Sequence, residues 1–472
     1  MISISPLLPA LTLGLGGMLL LVLGVTAKRT ALQTANGGAM LFLLCAAAAT
    51  LAAPDGVLFN GLLKTTLFTR FADTLIYIGA FTALVLSFDF NRKEGIARFE
   101  YPVLVLFAVL GMVVMVSAND LMSLYVGFEL QSLALYIAAA LARDSLRSTE
   151  AGLKYFVLGA LASGLLLYGI SLTYGFTGTT SFPAIAGLLT ASVPTGALVG
   201  LTFVVVGLAF KISAAPFHMW TPDVYEGAPT SVSALFGTAP KAAAFALFLS
   251  VLTGPFGGLL KEWQPLIVIL AVASMALGSI AAIMQTNIKR LLAYSSIGHM
   301  GYALIGFAAG TAAGYQASLI YVALYVVMSA GAFACVIAFR RQGQAVETIA
   351  DLAGLGAERP GLALGLAIFM WAMAGIPPLS GFFGKLYVFL AAIDAGLLPL
   401  AIIGVLTSVI GAFYYLRVIK VMYFDAGKPG FDRASPGVNF IIGLGAVVTV
   451  LFIVAPSPLI SAASAAAKAL MG

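Results

Sequence analysis

Fourteen apolar runs follow one another along this chain with only short polar joints between them. They lie near residues 6–26, 36–53, 71–90, 101–117, 121–141, 151–175, 197–217, 230–252, 265–285, 294–309, 317–339, 361–392, 396–424 and 438–456. A run of ~20 apolar residues matches the hydrocarbon thickness of a bilayer. No water is available there, so a spanning segment must satisfy its own backbone N–H and C=O groups, which a helix does. The chain therefore reads as an all-α polytopic membrane protein with about 14 transmembrane helices. Only 9% of its 472 residues are charged and 61% are hydrophobic, against ~25% charged in a soluble domain. The N-terminal run has no basic segment ahead of it and reads as an uncleaved first span. The stretch 54–70 is too polar to span, and its partial alternation suggests a small surface hairpin.

Charge placement sets the orientation. Sixteen of the 24 Lys and Arg fall in loops after odd-numbered spans, among them Lys28, Arg29, Arg98, Arg143, Arg147, Lys289, Arg290 and Lys428. Lys64, Arg70, Lys261 and Lys468 fall on the other side. Cytoplasmic loops are the basic ones, which puts odd loops inside and both termini outside. The same pattern explains the net charge of +6 without a nucleic-acid partner. Cys45 and Cys335, the only cysteines, lie within apolar runs. They are too few for an iron–sulfur cluster, which needs about four ligands, and read as small core residues. His218 and His299 are the only histidines. Nothing around them suggests a haem pocket.

The remaining four basic residues, Lys154, Lys211, Lys241 and Lys385, sit inside the apolar runs. A charge at membrane depth is costly and usually marks an ion or proton pathway. Residues 203–241 concentrate this signal. Lys211 lies among Val, Leu and Phe, Pro216 then interrupts the helix, and Lys241 follows Pro240. A proline frees a backbone carbonyl, tolerable at that depth only where protein or water re-satisfies it. Long lysine side chains also snorkel to an interface, but Lys211 lies past the middle of its helix and short of Trp220, which reads as an interface residue. Residues 221–227 read as a polar loop. His218 beside them reads as a local hydrogen-bonding residue. The twelfth run repeats the pattern, with Pro377 and Pro378 before Lys385.

Paired broken helices in two halves of a chain point to inverted repeats. The expected division is 1–100 for helices 1–3, 101–252 and 265–424 for two inverted five-helix repeats with helices 7 and 12 broken, and 438–472 for helix 14 and a tail. Glu129 is the one acid deep inside a run; Asp73 and the others fall at span ends or in loops. Lys154, on the next antiparallel span, is its expected partner. His299, with Ser295, Ser296 and Tyr302 nearby, fits a proton relay or a neutral core histidine bonded to a serine. Desolvation favours a neutral lysine and a nearby carboxylate favours the ammonium, so moving one partner of a buried pair can load or unload a proton.

Three segments carry a resemblance: FKISAAPFHMWTPDVYEGAPTSVSALF, NIKRLLAYSSIGHMGYALIG and AGIPPLSGFFGKLYVF. They resemble the antiporter-like membrane subunits of respiratory NADH–quinone oxidoreductase over roughly residues 100–425. The phrase GFELQSLALYIAAAL and a lysine rather than a glutamate at 385 resemble the subunit N branch. The resemblance implies a non-redox subunit that moves protons through Glu129 paired with Lys154, then Lys211 and Lys241, with Lys385 as outlet. It implies NADH, FMN, iron–sulfur clusters and quinone in other subunits, and none bound here. It implies antiporter-like subunit M and small subunit K as neighbours, in a bacterial inner membrane, with both termini periplasmic. A cation/proton antiporter or hydrogenase-linked complex shares these motifs. A sodium site would need clustered oxygens, and one deep glutamate is poor support for it. A scaffold that has lost transport would have little reason to keep four intramembrane lysines.

Overall fold

The computed structural model describes residues 5–26, 31–190, 193–427 and 430–471. Lys28, Arg29 and Lys428, used above to set the orientation, lie outside these residues. The first unit comprises α1 (Leu8–Thr26), α2 (Ala31–Ala52), a hairpin of β1 (Gly56–Leu58) and β2 (Leu63–Thr65), and α3 (Leu67–Lys93). The hairpin is antiparallel, as the alternation in 54–70 predicts. Then come α4 (Glu100–Ser117), α5 (Leu121–Ala139), α6 (Leu146–Thr177) and a short α7 (Phe182–Leu188). The seventh span is split into α8 (Thr195–Ile212) and α9 (Trp220–Gly227), and the eighth into α10 (Thr230–Phe236) and α11 (Ala239–Thr253).

The second half holds α12 (Leu260–Ile283), α13 (Ile288–Ala308) and α14 (Ala312–Ala338). A second hairpin of β3 (Arg340–Arg341) and β4 (Gln344–Ala345) and a single turn, α15 (Leu355–Glu358), lead to the twelfth span. That span is split into α16 (Pro360–Ala374) and α17 (Ser380–Asp394), and is followed by α18 (Leu398–Phe424), α19 (Pro436–Leu451) and α20 (Ser457–Met471). Among the described residues twelve helical stretches are long and apolar enough to cross a bilayer, α10 and α11 counting as one; α16 and α19 are shorter apolar helices. With those two as the twelfth and fourteenth spans, the helices follow the fourteen runs of the sequence.

The breaks lie where proline and glycine interrupt the apolar pattern. Both expected breaks contain a cis X–Pro peptide, Ala215–Pro216 and Pro377–Pro378. The interruption of the eighth span at Gly237 and Thr238 was not expected. Its sequence signal is Pro240, which is favoured in the first turn of a helix and so marks a new start. Residues 221–227 are helical, not a loop, and the expected C-terminal tail is helix α20, which packs on α3 and α14.

Burial orders the layers. The α10–α11 pair, α13 and α14 are almost wholly buried within the chain, whereas α1, α2, α6 and α18 expose most of their apolar surface. That exposed surface needs no correction in a bilayer, because lipid is the solvent. Helices cross closely where glycine lets backbones meet. A Cβ on Gly111 would lie 2.4 Å from the backbone nitrogen of Gln131, and one on Gly278 would lie 2.5 Å from that of Gly298. These contacts join α4 to α5 and α12 to α13. Two sequence readings need correcting. Cys45 is exposed rather than core, because its face of α2 points away from the bundle. Asp73 on α3 and Asp120 are buried, at 4% and 5% exposure, whereas Glu129, expected to be the lone buried carboxylate, is only half-buried.

Candidate functional site: three lysines at interrupted helices

Lys211, Lys241 and Lys385 are all buried. None of them takes part in an ion pair among the described residues. Their partners are neutral oxygens and aromatic faces. Lys211, on the last turn of α8, donates to Ser132 Oγ at 2.6 Å and lies 4.6 Å from the ring centre of Phe128. Lys241, in the first turn of α11, donates to the Ile212 carbonyl at 3.0 Å and to Ser213 Oγ at 2.5 Å. Its ammonium lies 5.6 Å from the Trp220 ring. Lys385, on α17, donates to the carbonyls of Met373 and Ala374 at 3.1 and 2.9 Å and to Ser408 Oγ at 2.7 Å. The Tyr302 ring centre is 4.8 Å away.

The geometry explains the breaks. The last carbonyls of a helix have no intrahelical partner, and the helix dipole makes that end attractive to cations. Ile212 ends α8, and Met373 and Ala374 end α16. Lys241 and Lys385 each bond the carbonyls freed at such an end. The two lysines are therefore equivalent in kind, whereas Lys211 precedes its break and Lys385 follows its own. Rings offer a cation a further attractive face. Oxygens without charge hold an ammonium less firmly than a carboxylate does.

Trp220 belongs to this site and not to an interface. It is buried, stacks on Tyr155 with centroids 4.4 Å apart, and donates from Nε1 to the Phe210 carbonyl at 3.0 Å. Its indole closes the gap left where α8 stops. His299 on α13 is also buried, with Nδ1 2.7 Å from the Tyr321 hydroxyl and Nε2 3.1 Å from that of Tyr415. Tyr415 in turn lies 2.5 Å from Ser295 Oγ. The histidine partners are thus two tyrosines and not a serine. In the neutral ring one nitrogen donates and the other accepts, so both are engaged. His218 is half-buried and bonds locally to the Pro216 backbone, as expected, while its buried Nδ1 has no partner among the described residues.

The expected pair of Glu129 and Lys154 does not form. Glu129 Oε1 accepts from Ser163 Oγ, which also lies 3.2 Å from the Tyr125 hydroxyl. Lys154 is nine residues earlier on α6 than Ser163, about 14 Å along the axis. Its ammonium instead bridges Glu150 at 2.7 Å and Asp223 at 2.9 Å. Asp223 also accepts from Arg290 at 2.7 Å, Arg290 reaches Glu226 at 3.1 Å, and Lys289 reaches Glu347 at 3.0 Å. This ionic cluster ties α6, α9 and α13 together at the end bearing the basic loops. Burial raises the Asp223 carboxyl, but bonds from Lys154 and Arg290 outweigh it and hold the group below its ordinary value.

Sequence reading missed Ser132, Ser213 and Ser408, which bind the three ammoniums. Single serines in apolar helices carry no pattern of their own. The signal for Ser213 was its place just after a helix end, before a proline.

The family model described as "NADH:quinone oxidoreductase/Mrp antiporter, TM" matches residues 118–411, which include Glu129 and all the buried lysines. The chain is 62% identical over 468 residues to NADH-quinone oxidoreductase subunit N 1 of Acidiphilium cryptum (strain JF-5), covering 98% of each. The chain belongs to the NADH-quinone oxidoreductase subunit N family. Among solved structures it is similar to a chain of respiratory complex I from Thermus thermophilus with bound aureothin. That likeness has a TM-score of 0.83 and 31% identity, covering 97% of this chain and 99% of the other. A chain of the Mrp complex from Dietzia sp. DQ12-45-1b matches with a TM-score of 0.88 and 23% identity over all of both chains. At that identity the likeness speaks for the fold alone. The family's helical membrane architecture is therefore common to complexes with different partners, and the buried side chains must carry any argument about mechanism.

Proposed function

We propose that this chain is the proton-translocating membrane subunit of a bacterial NADH–quinone oxidoreductase, with no redox centre of its own. NADH, FMN, iron–sulfur clusters and quinone belong to other subunits in this reading. Antiporter-like subunit M and small subunit K are its neighbours in the inner membrane, and both termini face the periplasm. One observation carries it: three buried ammoniums at interrupted helices are held by neutral oxygens and aromatic faces, with no carboxylate paired to them among the described residues. The 62% identity with a subunit N over nearly the whole chain favours this reading over a cation antiporter.

The proposed route runs from Glu129 through Lys211, Lys241 and His299 to Lys385. Glu129 lies three residues before Ser132, the partner of Lys211, on α5. Lys241 and Lys385 exchange protons while their carbonyl cradles stay fixed. Lys154 has a different role here, anchoring α6 to α9 through Asp223. Moving one charge across 100 mV takes about 2.3 kcal/mol, comparable to making or breaking one hydrogen bond to a charged group, ~1.5–3 kcal/mol. Two inverted repeats, 101–252 and 265–424, are supported by the matching glycine crossings and by the two proline breaks.

The test is Lys211→Ala in the assembled complex, reconstituted into proteoliposomes. Assembly on a native gel with a lower proton-to-electron ratio or slowed turnover is expected. Full pumping at full turnover would remove Lys211 from the mechanism.

A further inference from the structure

A cavity of about 30 Å³ lies where α1, α2, α3, α4 and the β1–β2 hairpin meet, at the end of the bundle opposite the basic loops. Its walls include Leu7, Leu58 and Val113, with the hydroxyl-bearing Thr50, Thr65 and Ser117. Asp73, in the second turn of α3, is the one titratable residue that lines it. Asp73 is 4% exposed, and its Oδ1 has no hydrogen-bond partner among the described residues. It takes part in no ion pair among them either.

No neighbouring cation offsets this carboxyl. Arg70, one turn earlier, is taken up by Asp55 and the Ala53 carbonyl. Lys64 stands on β2 between Leu63 and Thr65, which both line the cavity; side chains alternate along a strand, so Lys64 points away. Tyr77, one turn further on, lies 3.1 Å from Thr50 Oγ1. Helices α1 and α2 carry no Asp, Glu, Lys, Arg or His, and α4 carries only Glu100, at its far end. Of the other helices packed on α3, α10, α14 and α19 carry none, Lys241 of α11 bonds Ile212 and Ser213, and Lys468 of α20 is exposed.

We propose that Asp73 is a proton-binding site outside the lysine series, a neutral carboxylic acid joined through one water to the hydroxyls of Thr50, Thr65 and Ser117. A buried carboxylate without a counterion is so unfavourable that the group takes up a proton instead. The acid O–H then donates and its other oxygen accepts. A buried water needs about 10–15 Å³ and two to four polar partners, and the cavity supplies both. A hard cation takes six or more oxygens, against one carboxyl and three hydroxyls here. The site lies outside residues 118–411 and does not depend on the role of the lysines.

The test is infrared difference spectroscopy of the intact complex in nanodiscs at pH 7, parent against Asp73→Asn. Asparagine matches the neutral acid in size and offers the same donor and acceptor, so the variant should assemble and pump as the parent does. The difference spectrum should show the loss of one carboxylic-acid C=O band. In D2O that band should move to lower wavenumber, because the acid proton exchanges with solvent through the water. Ser117→Ala removes one partner of the water and should move the same band to higher wavenumber. Three results would overturn the proposal: loss of carboxylate bands instead, which means an ionised Asp73; an acid band unmoved in D2O; or an acid band present only when sodium is withheld, which marks a sodium site. Failure of Asp73→Asn to assemble would also overturn it, since a neutral acid is replaced bond for bond by the amide.

Discussion

Ser213→Gly isolates the hydroxyl that holds Lys241. Ser213 follows the end of α8 in a left-handed conformation, φ 62° and ψ 35°. For a residue with a Cβ that conformation costs roughly 1–2 kcal/mol, and glycine is the usual occupant of such a helix end. A serine there needs a reason, and its Oγ supplies one by accepting from Lys241 at 2.5 Å and from Thr221 at 2.6 Å. Glycine keeps the backbone and removes only those bonds. A hydrogen bond to a charged group contributes ~1.5–3 kcal/mol, a factor of roughly ten to a hundred in an equilibrium constant. The Ile212 carbonyl remains as a partner. The assay is proton uptake into proteoliposomes per NADH oxidised, measured between about pH 6 and 9. Normal assembly is expected, with a proton-to-electron ratio below that of the parent. Ser213→Ala should pump equally poorly and also assemble less well, because alanine retains the left-handed strain. An unchanged pH profile and ratio in Ser213→Gly would refute a role for the hydroxyl.

Lys385→Arg should assemble, since a guanidinium still bonds the carbonyls of Met373 and Ala374, yet pump poorly because arginine releases no proton; full proton uptake per electron would leave Lys385 a purely structural clamp. Glu129→Gln and Lys154→Ala should act independently in a double-mutant cycle on pumping, because Lys154 lies about 14 Å along α6 from Ser163, the partner of Glu129; a coupling above ~0.5 kcal/mol would contradict that separation. Asp223→Asn should lower the melting temperature of the detergent-solubilised complex at pH 7, by the equivalent of ~1 kcal/mol or less for partly exposed pairs. The Asp223 carboxyl is held below its ordinary value, so its contribution is present above about pH 4 and lost as pH falls below; a difference between variant and parent that persists unchanged there would contradict the assignment. Gly381→Ala should abolish assembly on a native gel, since its Cβ would lie 1.8 Å from the Ala372 carbonyl oxygen.

The sequence by itself determined the membrane class, the order of spans, the hairpin at 54–70 and the breaks at Pro216 and Pro377–Pro378. Each follows from one-dimensional rules, because lipid dictates the length and closure of a span and proline interrupts a helix wherever it stands. Lys211, Lys241 and Lys385 were legible for the same reason: a charge in an apolar run is conspicuous without coordinates. Their partners were not. The pairing of Glu129 depends on the register of α5 against α6, which the loop between them sets and which puts Ser163 opposite the carboxylate. Trp220 could sit at an interface or in the core until α9 was seen to pack on α6 and α13. The carbonyls of Ile212, Met373 and Ala374 are ordinary backbone atoms in sequence. Only the tertiary structure, by ending two helices beside two lysines, turns them into ligands. A hydrogen bond between distant segments depends on where both ends lie in space, and span order leaves that undetermined.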